Sequence, residues 1–338
     1  MLGLDTWQTV LFIILIVLCI NYLSRMTLDR ITIQTSDEGS EYDMKKEGFT
    51  NADTVADADA AAASKYEVLT GDDIYDDFYA SVYNKIFQHD KLVQAEAAIC
   101  LQDWTKDMQR DHMKILDCCS GSGVASCYFA KEGVGSTVAM DKSSAMMRYA
   151  KNTILPATTL TETQRQSIDW RLMDVLGTSS AMAAEFTHAC LLYFTPYHFR
   201  DIDAVLKNLA LWVRPGGDLA IEVVNKYKFE PIPDVANPWV AVTPQKYSKE
   251  RITKAKATFD KFDYESEFTL EDPRAEFRET FRFKDGSVRR QKHVLWMPSI
   301  SEMIHKAGLA GWTYTKYTAL DFIGFNYGYI LFFKRNPN

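Results

Sequence analysis

The sequence predicts a doubly wound α/β fold with a seven-stranded, mostly parallel sheet, an antiparallel β cap inserted late in the chain, and an N-terminal transmembrane helix. Three observations carry this expectation. Five strand-like apolar runs alternate with helical spacing between Lys114 and Val224, a Gly-rich turn follows the first of them, and an unbroken apolar stretch stands near the N-terminus. The segment from Lys114 to Asp141, KILDCCSGSGVASCYFAKEGVGSTVAMD, reads as strand, turn, helix and strand. Its second strand ends on Asp141, which places a carboxylate beside the turn at the carboxyl edge of a parallel sheet, where α/β folds bind nucleosides.

The 338 residues are 47% hydrophobic and 25% charged, as expected of a folded chain. The net charge of −7 is uneven. Residues 28–77 hold 14 acids against 4 bases, whereas residues 78–338 hold 30 acids against 33 bases. The folded part therefore has no strong electrostatic claim on nucleic acid. Near the N-terminus, Val10 to Ile20 is wholly apolar, and Trp7 and Tyr22 bracket it as interfacial aromatics do. Arg25 and Arg30 follow the run and no Lys or Arg precedes it, so a retained single-pass anchor would leave the bulk of the chain cytoplasmic. A cleaved signal is the rival, but it requires a basic start, and only Asp5 is charged there. The expected division is a membrane anchor over 1–26, an acidic disordered linker over 27–70, and a folded domain over 71–338 with a cap at about 227–296. The six cysteines and six histidines are scattered without metal-ligand spacing, so no metal is expected.

In chain order, Tyr75, Phe78, Tyr79, Val82, Tyr83, Ile86 and Phe87 recur at three and four residues and make an aromatic helix face. A second helix is expected over about 91–109. After Asp141, Ser143 or Ser144 can cap a helix that buries Met146 and Met147. Residues 167–173, 186–192 and 219–224 read as the third to fifth strands, with an amphipathic crossover helix over 195–211 before the fifth. A Pro-rich loop follows, then a basic helical piece (Lys249, Arg251, Lys254, Lys256). Strand-like runs come next, the last two of them turning at Asp285-Gly286. A helix over 299–307 and strands over 313–317 and 327–334 complete the sheet with an antiparallel edge.

The sequence Asp117-Cys-Cys119-Ser-Gly121-Ser-Gly123 resembles the D-x-G-x-G-x-G motif of class I S-adenosylmethionine-dependent methyltransferases, which are Rossmann-like, with Cys119 in place of the first glycine. Asp141 with Lys142, Ser143 and Met146 is similar to the family's second motif, Asp174 to its third, and Pro215-Gly216-Gly217 to the turn before its fifth strand. The resemblance covers roughly 75–335. It implies S-adenosylmethionine as cofactor, bound by Tyr83, Asp117, Cys119, Gly121, Ser122, Gly123, Asp141, Lys142, Ser143, Met146, Asp174, Val175 and Leu191. In that reading Asp117 receives the amino group, Asp141 accepts both ribose hydroxyls, and Asp174 accepts from the adenine amine while Val175 backbone reads the ring. A nicotinamide dehydrogenase is the rival for the same turn, but the third position of its fingerprint is Ser126 here. Aminopropyl transferases share the fold, yet no acid cluster is placed for a polyamine.

The resemblance implies in-line methyl transfer to a small-molecule acceptor, in which alignment matters more than any obligatory side chain. If a base is used, the candidates are Tyr193, Tyr197 and His198, with His293 from the cap; His188 reads as a core histidine. Two alternatives stay open: a non-catalytic membrane-tethered scaffold, and a protein or nucleic-acid methyltransferase using the basic segment 246–256. An anchor and acidic spacer before such a domain resemble the arrangement of large-virus and microbial membrane enzymes.

Overall fold

In this computed structural model, which describes residues 68–87, 89–177, 182–231 and 251–337, the Gly-rich segment lies at the middle of a seven-stranded sheet. The described part of the chain starts with β1 (Val68–Thr70), α1 (Asp77–Phe87) and α2 (His89–Trp104). It continues through β2 (Lys114–Cys118), α3 (Val124–Lys131), β3 (Ser136–Asp141), α4 (Ser144–Tyr149), α5 (Glu162–Gln166), β4 (Ile168–Leu172) and β5 (Phe186–Leu191). Helix α6 (Ile202–Trp212) leads into β6 (Val213–Val224), followed by β7 (Lys254–Thr258), β8 (Phe262–Glu271), β9 (Arg274–Phe283) and β10 (Val288–Trp296). Helix α7 (Ile300–Leu309), β11 (Trp312–Ala319) and β12 (Gly328–Arg335) close the chain.

The main sheet has the order β11-β12-β6-β5-β2-β3-β4, and the second has the order β1-β10-β9-β8-β7. Strand β2 pairs in parallel with β3 and β5, β3 with β4, and β5 with β6. Every residue of β5 is buried, as a strand covered on both faces requires. In the second sheet the short turns between β8, β9 and β10 enforce antiparallel pairing. The described residues form two compact units. One comprises 68–254, 267–278 and 291–337 and holds the main sheet; the other comprises 255–266 and 279–290, segments of β7 to β10.

Three expectations change. Of the basic piece expected to be helical, Lys254 and Lys256 lie in strand β7, where burial alternates with period two: Ala255 and Ala257 are buried, while Lys254 and Lys256 are exposed; Lys249 lies outside the described residues. The expected antiparallel edge is present: β12 inserts between β6 and β11 and pairs antiparallel with both. The crossover helix begins at Ile202, where the Asp201 carboxylate accepts the Ala204 N–H at 3.1 Å, and a 3-10 turn over Thr195–His198 precedes it. Strand structure starts at Val68, inside the expected linker; the anchor and the linker up to residue 67 lie outside the described residues. Among the described residues no helix is long and apolar enough to cross a membrane.

The core side of the sheet depends on large side chains that reach across elements. Trp312 is 2% exposed, and its indole N–H donates to the Leu206 carbonyl at 3.1 Å, tying β11 to α6. His188 is buried against Trp104, with Nδ1 2.7 Å from the Thr187 hydroxyl, and burial lowers its pKa to about 3, which makes it a core histidine as expected. Trp312→Ala should cost about 3–5 kcal/mol through the cavity it leaves, read as a lower urea midpoint with an unchanged slope.

Candidate active site

Beyond β2 the chain makes a turn in which every second residue is left-handed: Cys119 at φ 59°, Gly121 at 52° and Gly123 at 75°. A side chain at Gly121 would meet nothing within 4 Å, so the backbone there is open to a ligand. At Gly123 a Cβ would lie 2.7 Å from the Trp170 ring. Cys119 holds the same conformation with a side chain, which costs an L-residue roughly 1–2 kcal/mol.

A set of hydrogen bonds fixes the turn. Asp141 Oδ2 accepts the Gly121 N–H and Oδ1 accepts the Ser143 N–H, each at 2.8 Å. The Ser120 N–H donates to the Met140 carbonyl at 2.9 Å, and the Gly123 N–H to the Ser120 carbonyl at 2.8 Å. Helix α1 contributes Asn84, whose Oδ1 accepts the Ser122 hydroxyl at 2.9 Å. Beneath the turn, Asp117 accepts the Ser126 hydroxyl at 2.6 Å. Burial raises the Asp117 pKa to about 6 against that hydrogen bond, with the Asp141 charge adding to the rise. Burial also raises Asp141, opposed by the N–H donors of Ser143 and Gly121.

These groups share a cavity of about 220 Å³ lined by Asp117, Cys119, Ser120, Gly121, Asp141, Lys142, Ser143 and Met146. Ser143 caps α4, accepting the Met146 N–H at 3.1 Å and donating to the Tyr75 carbonyl at 2.8 Å. Lys142 forms an ion pair with Asp72. Aromatic side chains supply much of the remaining wall. His198 and His293 stand 5.9 Å apart between ring centroids, Tyr75 is within 6.3 Å of both, and the Tyr79 hydroxyl is hydrogen-bonded to His293 Nε2 at 3.3 Å. Burial, aided by His293 and the Lys142 charge, lowers the His198 pKa to about 3.

Residues 115–217 match the sequence model of a methyltransferase domain. The matched stretch runs from β2 through the Gly-rich turn and β5 to the start of β6, so this part of the chain is similar to a methyltransferase domain. Solved structures share its fold at low sequence identity. The CcbJ methyltransferase of Streptomyces caelestis has a TM-score of 0.56 at 12% identity, over 78% of this chain and 98% of its own. An S-adenosylmethionine-dependent methyltransferase of Clostridium acetobutylicum has a TM-score of 0.55 at 12% identity, over 77% and 97%. The sugar N-methyltransferase KedS8 of a Streptoalloteichus species has a TM-score of 0.51 at 15% identity, over 72% and 88%. No curated protein matches the chain.

Of the residues expected to hold the methyltransferase cofactor, Tyr83, Asp117, Cys119, Gly121, Asp141, Lys142, Ser143 and Met146 line the cavity. Ser122, Gly123, Asp174, Val175 and Leu191 do not. Ser122 and Gly123 are structural, held by Asn84 and packed on Trp170. Asp174 is exposed and accepts the Leu176 N–H at 2.9 Å, whereas Val175 and Leu191 are buried in the core. Strand alternation turns Leu191 away, and Leu192 lines the cavity instead. Among the candidate bases, Tyr193 and His198 line the cavity, while the Tyr197 hydroxyl is taken up by accepting the Val224 N–H at 2.7 Å.

Sequence reasoning missed a pair of buried acids behind Tyr193. Tyr193 and Phe194 are consecutive left-handed residues, at φ 49° and 56°. The Tyr193 N–H donates to Glu96 at 3.2 Å and the Phe194 N–H to Glu222 at 2.6 Å. Both acids are fully buried, and the second oxygen of each has no partner among the described residues. Burial raises Glu96, the Glu222 charge raises it further, and burial raises Glu222 to about 8. The signal was legible as single acids inside the apolar runs AEAAICL and LAIEVV.

Two outcomes follow from this geometry. Cys119→Gly should stabilise the fold by about 1 kcal/mol and Cys119→Val should destabilise it, measured by urea unfolding. Glu222 has a folded pKa above its ordinary 4.5, so its contribution is complete below that pH and is lost as pH rises through about 8. Glu222→Gln keeps the acceptor for Phe194 and removes the titration. Its melting temperature should therefore fall less than that of the parent between pH 6 and pH 9.

Proposed function

We propose that the cavity binds S-adenosylmethionine and that the enzyme transfers its methyl group to a small-molecule acceptor. The observation that carries this reading is the left-handed turn, open at Gly121 and flanked by the carboxylates of Asp117 and Asp141. The residues fit the cofactor. Gly121 leaves space where a Cβ would stand, and the Ser120 hydroxyl in the wall is buried with no partner among the described residues. Asp141 accepts one backbone N–H on each oxygen, which leaves a lone pair on each for a ribose hydroxyl. Asp117 lies beneath the turn as an acceptor for the ammonium of the amino-acid end. Asp174 is exposed and does not line the cavity, so Met146, which does, is the better wall for the ring.

When bound, the cofactor supplies an electrophilic methyl on a sulfonium, and the protein's task is alignment and exclusion of water. Tyr75, Tyr83, Tyr193 and Phe199 enclose the cavity with rings, which supports an organic acceptor of modest size. His198 stays neutral at pH 7 and, with so low a pKa, is a weak base; the acceptor therefore arrives with its nucleophilic lone pair already free. A sugar N-methyltransferase among the proteins of this fold is consistent with a neutral amine as that nucleophile. The nucleic-acid alternative is less favoured, because Lys254 and Lys256 are each paired with a glutamate at 3.1 Å. The membrane anchor and cytoplasmic placement remain part of the proposal on the strength of residues 7–30 alone.

Calorimetric titration of the purified chain with S-adenosylmethionine tests the reading directly, and absence of binding would end it. Asp141→Ala should weaken binding by more than about tenfold, since it loses the ribose acceptor and frees the turn, whereas His198→Ala should weaken it by less than about threefold. Affinity should also fall as pH drops through about 6, where Asp117 takes up a proton and loses its attraction for an ammonium group.

A further inference from the structure

His89 is the first residue of α2 and lines the cavity, yet no sequence motif singles it out. It is 6% exposed, and its Nδ1 has no hydrogen-bond partner among the described residues. Its ring is fixed on two sides, 4.4 Å from the Tyr193 ring and 4.9 Å from the Tyr83 ring between centroids. A buried donor left unpaired costs about 1–3 kcal/mol, which a ligand atom accepting from it would recover. Burial alone lowers the His89 pKa to about 3, so the ring is neutral at pH 7 and has one N–H to donate.

The proposed cofactor carries an ammonium and a carboxylate at its amino-acid end. Asp117 suits the ammonium, but it repels the carboxylate, which needs a donor nearby. The one lysine in the cavity wall, Lys142, is already paired with Asp72. The buried side-chain atoms of the wall without a partner among the described residues are His89 Nδ1 and the Ser120 hydroxyl. Position adds a second reason for His89: it begins a 16-residue helix, whose positive end favours an anion, and the neighbouring Asp90 is exposed and screened by solvent.

We infer that His89 binds the carboxylate of the S-adenosylmethionine amino-acid end, donating from Nδ1 within the ring pair of Tyr83 and Tyr193. This rests on the cofactor reading given above. It also explains why two tyrosines are spent on a side chain with no structural hydrogen bond at Nδ1: they hold the imidazole in place for a ligand. His89 is thus a binding residue that discriminates an amino-acid-bearing nucleoside from one without it.

The test compares two probes on the purified full chain by calorimetry: S-adenosylhomocysteine, which has the amino-acid end, and 5′-methylthioadenosine, which lacks it. The parent should prefer S-adenosylhomocysteine. His89→Leu should weaken S-adenosylhomocysteine by roughly ten- to a hundredfold and leave 5′-methylthioadenosine within twofold. His89→Asn, whose amide nitrogen can replace Nδ1, should restore most of the preference, and melting curves of both variants check folding. Equal loss for both probes, or an unchanged preference in folded His89→Leu, would overturn the assignment while leaving the cofactor reading intact. Failure of the parent to bind either nucleoside would overturn the cofactor reading, and the role of His89 with it.

Discussion

The geometry of the site depends on one carboxylate. Asp141 ends β3 and, with its two oxygens, accepts N–H groups from Gly121 on the neighbouring turn and from Ser143 at the start of α4. Strand β3 lies beside β2 in parallel register, Cys118 opposite Met140, so the acid emerges level with the turn that follows β2. A turn with three left-handed residues is costly for any chain, and this one includes Cys119 without the freedom of glycine. The cost is borne because the turn is fastened from three directions: Asp141 from the sheet, Asn84 from α1, and Trp170 packed against Gly123.

A second strained segment contributes Tyr193 to the same cavity wall. Tyr193 and Phe194 are left-handed at the end of β5, and buried Glu96 and Glu222 accept their backbone N–H groups. Two acids buried together cannot both ionise cheaply, so the pair stays at least partly protonated and its acceptors remain available near neutral pH. The result aims Tyr193 into the cavity against His89 and Tyr83. Strain at both ends of the site follows the usual logic of preorganised sites: the scaffold, rather than the ligand, fixes the positions of the contacting groups.

The sequence made much of this legible because local rules and the fold agree along the first half of the domain. Alternating small residues after Asp117, an acid at the end of the next strand and a serine cap all correspond to observed hydrogen bonds. Misreadings arose where a residue's role depends on a distant neighbour. Lys254 and Lys256 look like a basic helix face until Glu267 and Glu265 are placed beside them. Leu191 and Leu192 are alike in sequence, and only alternation at the end of β5 sends them to different core clusters, Leu192 to the one that borders the cavity. Asp174 resembles a ligand-binding acid by position, yet its carboxylate turns back on its own backbone.

By itself the sequence determined most of the strand and helix order of the domain, the Gly-rich turn beside two carboxylates and, through resemblance to a known family, the expected class of enzyme, since periodicity and short motifs act over a few residues. Tertiary structure decided which wall residues face the cavity and which acids share a buried pocket. Glu96 and Glu222 are 126 positions apart, and the Tyr79 hydrogen bond to His293 spans 214. Folding the chain around β2 and β5 makes such residues neighbours, and no local pattern encodes that proximity.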